Sequence, residues 1–145
     1  MKEEAEKIYE AIRLPKRATA GSAGYDFFAP AEFTLKPSET VKIPTGIRVE
    51  MQPEWVLKCY PRSGLGFKYR LQLNNTVGII DSDYFYSDNE GHIFAKITND
   101  SNEDKTLTIP ADTGFMQGIF VEYGITVDDE VSEIRNGGFG STTAK

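Results

Sequence analysis

Residues 74–84, Asn-Asn-Thr-Val-Gly-Ile-Ile-Asp-Ser-Asp-Tyr, set an apolar strand directly beside a group of hydrogen-bonding side chains. Val77, Ile79 and Ile80 are β-formers that want burial, whereas Asn75, Asp81, Asp83 and Tyr84 supply donors, acceptors and two carboxylates. Gly78 in their midst lets another group approach the backbone closely. The combination describes the wall of a pocket. It equally describes a hairpin whose Asn and Asp side chains only cap turns.

A second stretch, Pro61-Arg-Ser-Gly-Leu-Gly-Phe-Lys68, brings together a guanidinium, a hydroxyl, an ammonium and backbone N–H groups that glycine leaves accessible. That is the chemistry a phosphate chain needs, with Arg62 offering a planar fork and amides aimed at oxygens. It is neither the Gly-Lys-Ser/Thr nucleotide loop nor a dinucleotide fingerprint, and a tight turn carrying a surface arginine is the plainer alternative. Asp26, within Tyr25-Asp-Phe-Phe28, is either a turn residue beside a buried strand or a carboxylate near a metal. The C-terminal Arg135-Asn-Gly-Gly-Phe-Gly-Ser-Thr-Thr143 has the composition of a flexible tail. Its Arg135 and Phe139 suit a different use, in which a ring closes over a flat ligand while Arg135, Ser141 and Thr142 meet anionic oxygens.

The elements that must position these groups read as short strands. Val41 with Ile43, Ile47 with Val49 and Met51, and Trp55 with Leu57 and Cys59 keep period two, as half-buried antiparallel strands do. Ile93, Ala95 and Ile97 form another such set, Leu107 and Ile109 a further one, and Phe115 to Tyr123 a longer strand. The first fifteen residues fit helix or strand by periodicity, and a frayed start followed by a strand up to Pro15 is expected. Residues 17–24 are too small to build a core and are expected as loop. No stretch demands a long helix, so about ten short strands predict an all-β sandwich or jelly roll.

Composition bounds the partners. At 145 residues the chain is the size of one domain, and its net charge of −6 argues against nonspecific binding to nucleic acid or to an anionic membrane. An anionic small substrate would need a local cluster of cations and amides, or a bound metal ion. The single cysteine, Cys59, cannot form an internal disulfide, which fits a reducing cytoplasm, and is expected as a small buried apolar residue. No signal peptide or membrane span is expected, because the apolar runs are only a few residues long.

Five motifs taken in order resemble those of the trimeric dUTPase family. They are Ala23-Gly-Tyr-Asp26, Pro61-Arg-Ser-Gly-Leu65, Asn75 to Tyr84, Phe115-Met-Gln-Gly118 with Gln117, and Arg135 to Thr142. The resemblance implies a jelly-roll (β-clip type) core over residues 1–130, a C-terminal arm over residues 131–145, and a homotrimer with each active site built from all three subunits. It implies hydrolysis of dUTP to dUMP and pyrophosphate with Mg²⁺ on the triphosphate, which limits uracil in DNA and supplies dUMP for dTMP synthesis. Asp81 would activate the water that attacks the α-phosphorus, and Tyr84 would pack under the deoxyribose. Asn75 and the backbone near Gly78 would read uracil; Arg62, Ser63, Gly64 and Gln117 would hold the phosphates. Asp26 would act on hydrated Mg²⁺ through water. Phe139 would stack on uracil while Arg135, Gly140, Ser141 and Thr142 close over the γ-phosphate.

The chain departs from the family pattern in its third and fourth motifs and in its tail, with Met116 in place of a usual Ala and Thr143 where Gly is frequent. Phe85 to Glu90 are inserted where Tyr commonly runs straight into a Gly-Glu turn, and this acidic turn is a possible protein-partner site; His92 beyond it is expected at the surface with no catalytic role. Thr113-Gly114 stands where Asp-Arg is common, so a local ion pair is expected to be lost. Two other readings stand beside hydrolysis: a dCTP deaminase on the same fold, which the Gly78-Ile-Ile-Asp81 pattern fits less well, and a regulatory protein that uses a nucleotide site as a switch.

Overall fold

The structure, a computed structural model, describes residues 1–138. After helix α1 (Lys2–Ala11) come β1 (Lys16–Arg17), β2 (Tyr25–Phe28), β3 (Phe33–Leu35), β4 (Thr40–Pro44) and β5 (Trp55–Pro61). Helix α2 (Ser63–Tyr69) leads into β6 (Leu71–Leu73) and β7 (Gly78–Ile80), followed by a 3₁₀ turn at Ser82–Tyr86. β8 (Phe94–Asn99), β9 (Leu107–Ile109) and β10 (Gly114–Glu122) complete the set. The described residues are therefore mostly β, with few helices.

Three antiparallel sheets result. One runs β1-β2-β10-β5-β7, a second pairs β3 with β9, and a third runs β4-β8-β6. In the first sheet β5 lies between β10 and β7. It pairs with β10 from Trp55↔Glu122 to Pro61↔Met116, and with β7 from Leu57↔Ile80 to Cys59↔Gly78. The alternation in sequence becomes an inward face: Phe27, Leu57, Leu71, Ile93, Ile97, Leu107 and Phe115 are almost fully buried in one core. Asn99 is a buried polar exception, and its amide is fully used. Nδ2 donates to the carbonyls of Leu35 and Lys105, and Oδ1 accepts from the Ser101 N–H.

Cys59 is 2% exposed, and burial pushes its thiol up to about 12. It is the inert packing residue its neighbours in sequence suggest.

Three expectations about local structure fail. Residues 2–11 form a helix and not a frayed start, and no strand runs up to Pro15. Apart from Ile8 and Tyr9 this segment is Lys, Glu and Ala, so helix propensity decides a segment that buries none of its residues. Residues 63–69 are helical despite two glycines: Pro61 and Arg62 are extended, Arg62 caps the helix, and Arg70 closes it in the left-handed region at φ 51°. Residues 47–51 are not a strand. Gly46 turns the chain at φ +72°, and the Ile47 N–H bonds to Thr45 Oγ1 in place of a ladder partner. Ile47 still reaches the core, and its carbonyl receives the Ile93 N–H.

Candidate active site

The stretch from Asn74 to Tyr84 forms part of a cleft wall. β6 ends at Leu73, Thr76 takes a left-handed conformation at φ 70°, and its N–H returns to the Leu73 carbonyl at 2.8 Å. The chain then enters β7 beside β5. A side chain at Gly78 would put its Cβ 3.1 Å from that of Cys59, so strand pairing here favours glycine. Asn75, Gly78, Asp81, Tyr84 and Arg135 all line one cleft of about 340 Å³, and Cys59 lines it too. Asp81 caps the 3₁₀ turn, which brings Asp83 to the same side.

Arg135 joins both carboxylates. Its Nη2 lies 2.6 Å from Asp81 Oδ2 and its Nε 2.7 Å from Asp83 Oδ1, while Nη1 donates to the Gly137 carbonyl. The Arg135 side chain is only 17% exposed. Two further contacts lay this segment on its own chain: the Asp88 N–H donates to the Asn136 carbonyl at 2.7 Å, and Gly138 packs against the Tyr84 ring. A Cβ at Gly138 would fall 2.5 Å from Tyr84 Cε1. Asp83 is the residue that sequence reasoning left without a role; its signal was the two-residue spacing from Asp81 across a tight turn.

Tyr84 is buried, and its hydroxyl is bonded on two sides. It donates to the His92 carbonyl and accepts from Asn89 Nδ2. His92, expected at the surface, is only partly exposed there. It is half-buried, tilted against the Phe94 ring, and its Nε2 accepts the Gly46 N–H at 3.0 Å. Partial burial lowers its pKa from the usual histidine value.

Asp26, Arg62, Ser63, Gly64 and Gln117 line a second cleft, of about 270 Å³, which shares no lining residue with the first. Strand β2 supplies Asp26, β10 supplies Gln117 opposite it, and the turn from β5 into α2 supplies the others. Arg62 Nε lies 3.3 Å from Asp26 Oδ1. Gly114 leaves room for this pair, since a Cβ there would come within 3.0 Å of Arg62 Nη1 and 3.5 Å of Asp26 Cβ. At the expected lost ion pair, the glycine gives room to a different one. Among the described residues no three His, Cys, Asp or Glu side chains cluster as a metal cage.

A model of the dUTPase family matches residues 10–143. The deoxyuridine 5'-triphosphate nucleotidohydrolase of Lactococcus lactis is 42% identical over 136 residues, covering 92% of this chain and 89% of the relative. The crystal structure of the dUTPase from Streptococcus mutans superposes with a TM-score of 0.68 at 38% identity, covering 81% of this chain and 90% of that one. The chain belongs to the dUTPase family. Membership makes it a hydrolase of nucleotide metabolism, of the dUTP diphosphatase class. A point mutant of the dUTPase from the S. aureus phage phi11, described with a coordinated structural Mg(II) ion, shares the fold at 23% identity, a TM-score of 0.67, and coverage of 86% and 92%.

Of the residues that the dUTPase motifs single out, one chain brings Asn75, Gly78, Asp81, Tyr84 and Arg135 to one cleft and Asp26, Arg62, Ser63, Gly64 and Gln117 to another. Phe139, Gly140, Ser141 and Thr142 lie outside the described residues.

Proposed function

We propose that this dUTPase hydrolyses dUTP to dUMP and pyrophosphate by attack of water on the α-phosphorus, with Asp81 as the general base. The observation that carries the reading is the placement of Asp81 in the cleft that Asn75, Gly78 and Tyr84 also line. A base must reach a water beside the reacting phosphorus, and the groups around it must hold the nucleoside still. Asn75 and the backbone at Gly78 would read the uracil edge. Tyr84 would lie under the deoxyribose and refuse a 2'-hydroxyl. Cytosine would leave buried donors and acceptors mismatched, at about 1–3 kcal/mol each.

Arg62, Ser63, Gly64 and Gln117 would hold the phosphate chain. The Ser63 and Gly64 N–H groups that open α2 precede its first bonds, which run from Leu65 and Gly66 to the Arg62 carbonyl, and Arg62 is already in place beside them. Their separation from Asp81 into another cleft of the same chain supports a homotrimer in which neighbouring copies complete each site. The jelly-roll description, the division into a core of residues 1–130 and an arm of residues 131–145, and a cytoplasmic location belong to the same reading. No helix among the described residues is long and apolar enough to cross a membrane. Limiting uracil in DNA and supplying dUMP for dTMP synthesis would follow from the reaction.

Magnesium fits the residues present in one manner only. A hard cation that keeps its waters and takes most ligands from phosphates needs one carboxylate, and Asp26, with its side chain 15% exposed in the phosphate cleft, is that group. When bound, the ion would draw charge from the triphosphate oxygens. Arg62 would have to share its interaction with Asp26 when phosphates arrive. Phe139 would stack on uracil, and Arg135, Gly140, Ser141 and Thr142 would meet the γ-phosphate. The turn at Phe85 to Glu90 is also a candidate surface for a protein partner.

The test is pyrophosphate release from dUTP, dCTP, dTTP and UTP, with Mg²⁺ and with chelator, by wild type and Asp81→Asn. Release from dUTP alone is expected, weakened by chelator and reduced by about 10²- to 10⁴-fold in the variant. A near-wild-type rate for Asp81→Asn would remove the base assignment, and ammonia release from dCTP would favour the deaminase.

A further inference from the structure

The turn from Phe85 to Glu90 is built as firmly as the cleft it adjoins. Arg48 stacks over the Phe85 ring, 3.6 Å from its centroid, and donates Nη2 to the Phe85 carbonyl. The Ser87 N–H returns to the Tyr84 carbonyl, and Ser87 itself is buried. Gly91, at φ +76°, sits so close to Phe85 that a Cβ would come within 2.7 Å of its Cα. These contacts hold Asn89 at the edge of the tyrosine.

The direction of these bonds at Asn89 follows from its neighbours. The Gly91 N–H can only donate, so the side-chain atom facing it is Oδ1, which also takes the Ser87 hydroxyl at 2.7 Å. Nδ2 is left to face Tyr84, and it donates to the phenol oxygen at 2.9 Å. The phenol proton then goes to the His92 carbonyl, which can only accept. A buried ring whose hydroxyl both receives and gives a bond has its tip fixed in position and its height in the cleft set from behind.

We propose that Asn89 is a positioning residue for sugar discrimination, setting the Tyr84 ring at the level where a 2'-hydroxyl no longer fits. The proposal rests on the reading of Tyr84 as the platform under the deoxyribose. Exclusion by contact is steep in distance, so a ring free to sink by a fraction of an ångström admits ribose more readily. The turn is thereby part of the specificity machinery, whether or not a partner also uses its outer face.

The experiment compares kcat/KM for dUTP and for UTP in wild type, Asn89→Ala, Asn89→Asp, Tyr84→Phe and the Tyr84→Phe/Asn89→Asp double variant. Asn89→Asp keeps an oxygen for Ser87 and Gly91 and turns the donor facing Tyr84 into an acceptor, so the phenol can no longer receive one bond and give the other to His92, while the turn stays folded if Asn89→Ala does not. The preference for dUTP over UTP is expected to fall about 3- to 10-fold in Asn89→Asp, with no further fall when it is added to Tyr84→Phe. An unchanged preference, or losses that multiply in the double variant, would overturn the proposal. If wild type releases no pyrophosphate from dUTP, the hydrolytic reading fails separately. The ratio of dUDP to UDP dissociation constants by calorimetry in the same variants then decides the role of Asn89 by the same two outcomes.

Discussion

Arg135 and Asp81, 54 residues apart in the chain, meet through a guanidinium nitrogen 2.6 Å from a carboxylate oxygen. The pair places the cation of the C-terminal segment on the carboxylate proposed as base. A carboxylate bonded to a guanidinium has one oxygen engaged, so its approach to a water is restricted while Arg135 rests there. Asp83 shares the cation at 2.7 Å and keeps the segment near the cleft.

Asp83→Asn should loosen this attachment. Trypsin cleaves after Arg135 only when that side chain leaves its partners, and the loss of one half-exposed partner should speed cleavage about two- to fivefold. A time course of digestion, followed by mass spectrometry, gives the rate. Equal rates in wild type and variant would mean that Asp83 does not hold the segment.

Removal of residues 135–145 should cut turnover while leaving the assembly intact, as read by pyrophosphate release and light scattering. Gly138→Ala should act in the same direction with the chain at full length, because its Cβ would fall 2.5 Å from the Tyr84 ring and the segment could not settle there. Loss of the assembly in the truncated protein would instead make the segment structural.

Acid should weaken the fold through His92. Its folded pKa is lowered from 6.5 by burial, so on acidification the unfolded chain takes the proton first. The stability contributed by neutral His92 is complete above pH 6.5 and is lost as pH falls through the lower folded value. Protonation also removes the lone pair that accepts the Gly46 N–H. Thermal midpoints measured between about pH 8 and pH 5 should fall more steeply in wild type than in His92→Gln, which can accept without titrating in this range. Parallel curves would show that His92 does not carry the effect.

Much of the β scaffold was legible because period-two burial is a local property. Val41 and Ile43, Trp55 to Cys59, and Leu107 with Ile109 each declare a strand within a few residues. Legibility stopped where two local preferences competed. Residues 2–11 carry both a helical and a strand spacing, and charged helix formers decided the outcome. The glycines of Pro61 to Lys68 suggest a tight turn, yet the extended Arg62 and left-handed Arg70 bound a short helix at Ser63–Tyr69. Ile47 to Met51 alternates as a strand should, but among the described residues no neighbouring strand is in register to pair with it.

The site divides along the same line. Residue types and their order were enough to single out Asp81, Tyr84, Arg62 and the family they belong to, because chemical identity and motif spacing are written in the chain itself. Sequence alone also determined that Cys59 would be buried and unreactive, since its strand neighbours are apolar. Only the tertiary structure decided that Arg135 rests on Asp81 and Asp83, that Gly114 leaves room for Arg62 to reach Asp26, and that Asn89 and His92 hold the Tyr84 hydroxyl. The longer-range of these depend on how strands distant in the chain pair, and the Tyr84 contacts on how one turn folds back across the cleft. Neither the composition nor the local periodicity of a segment contains that information.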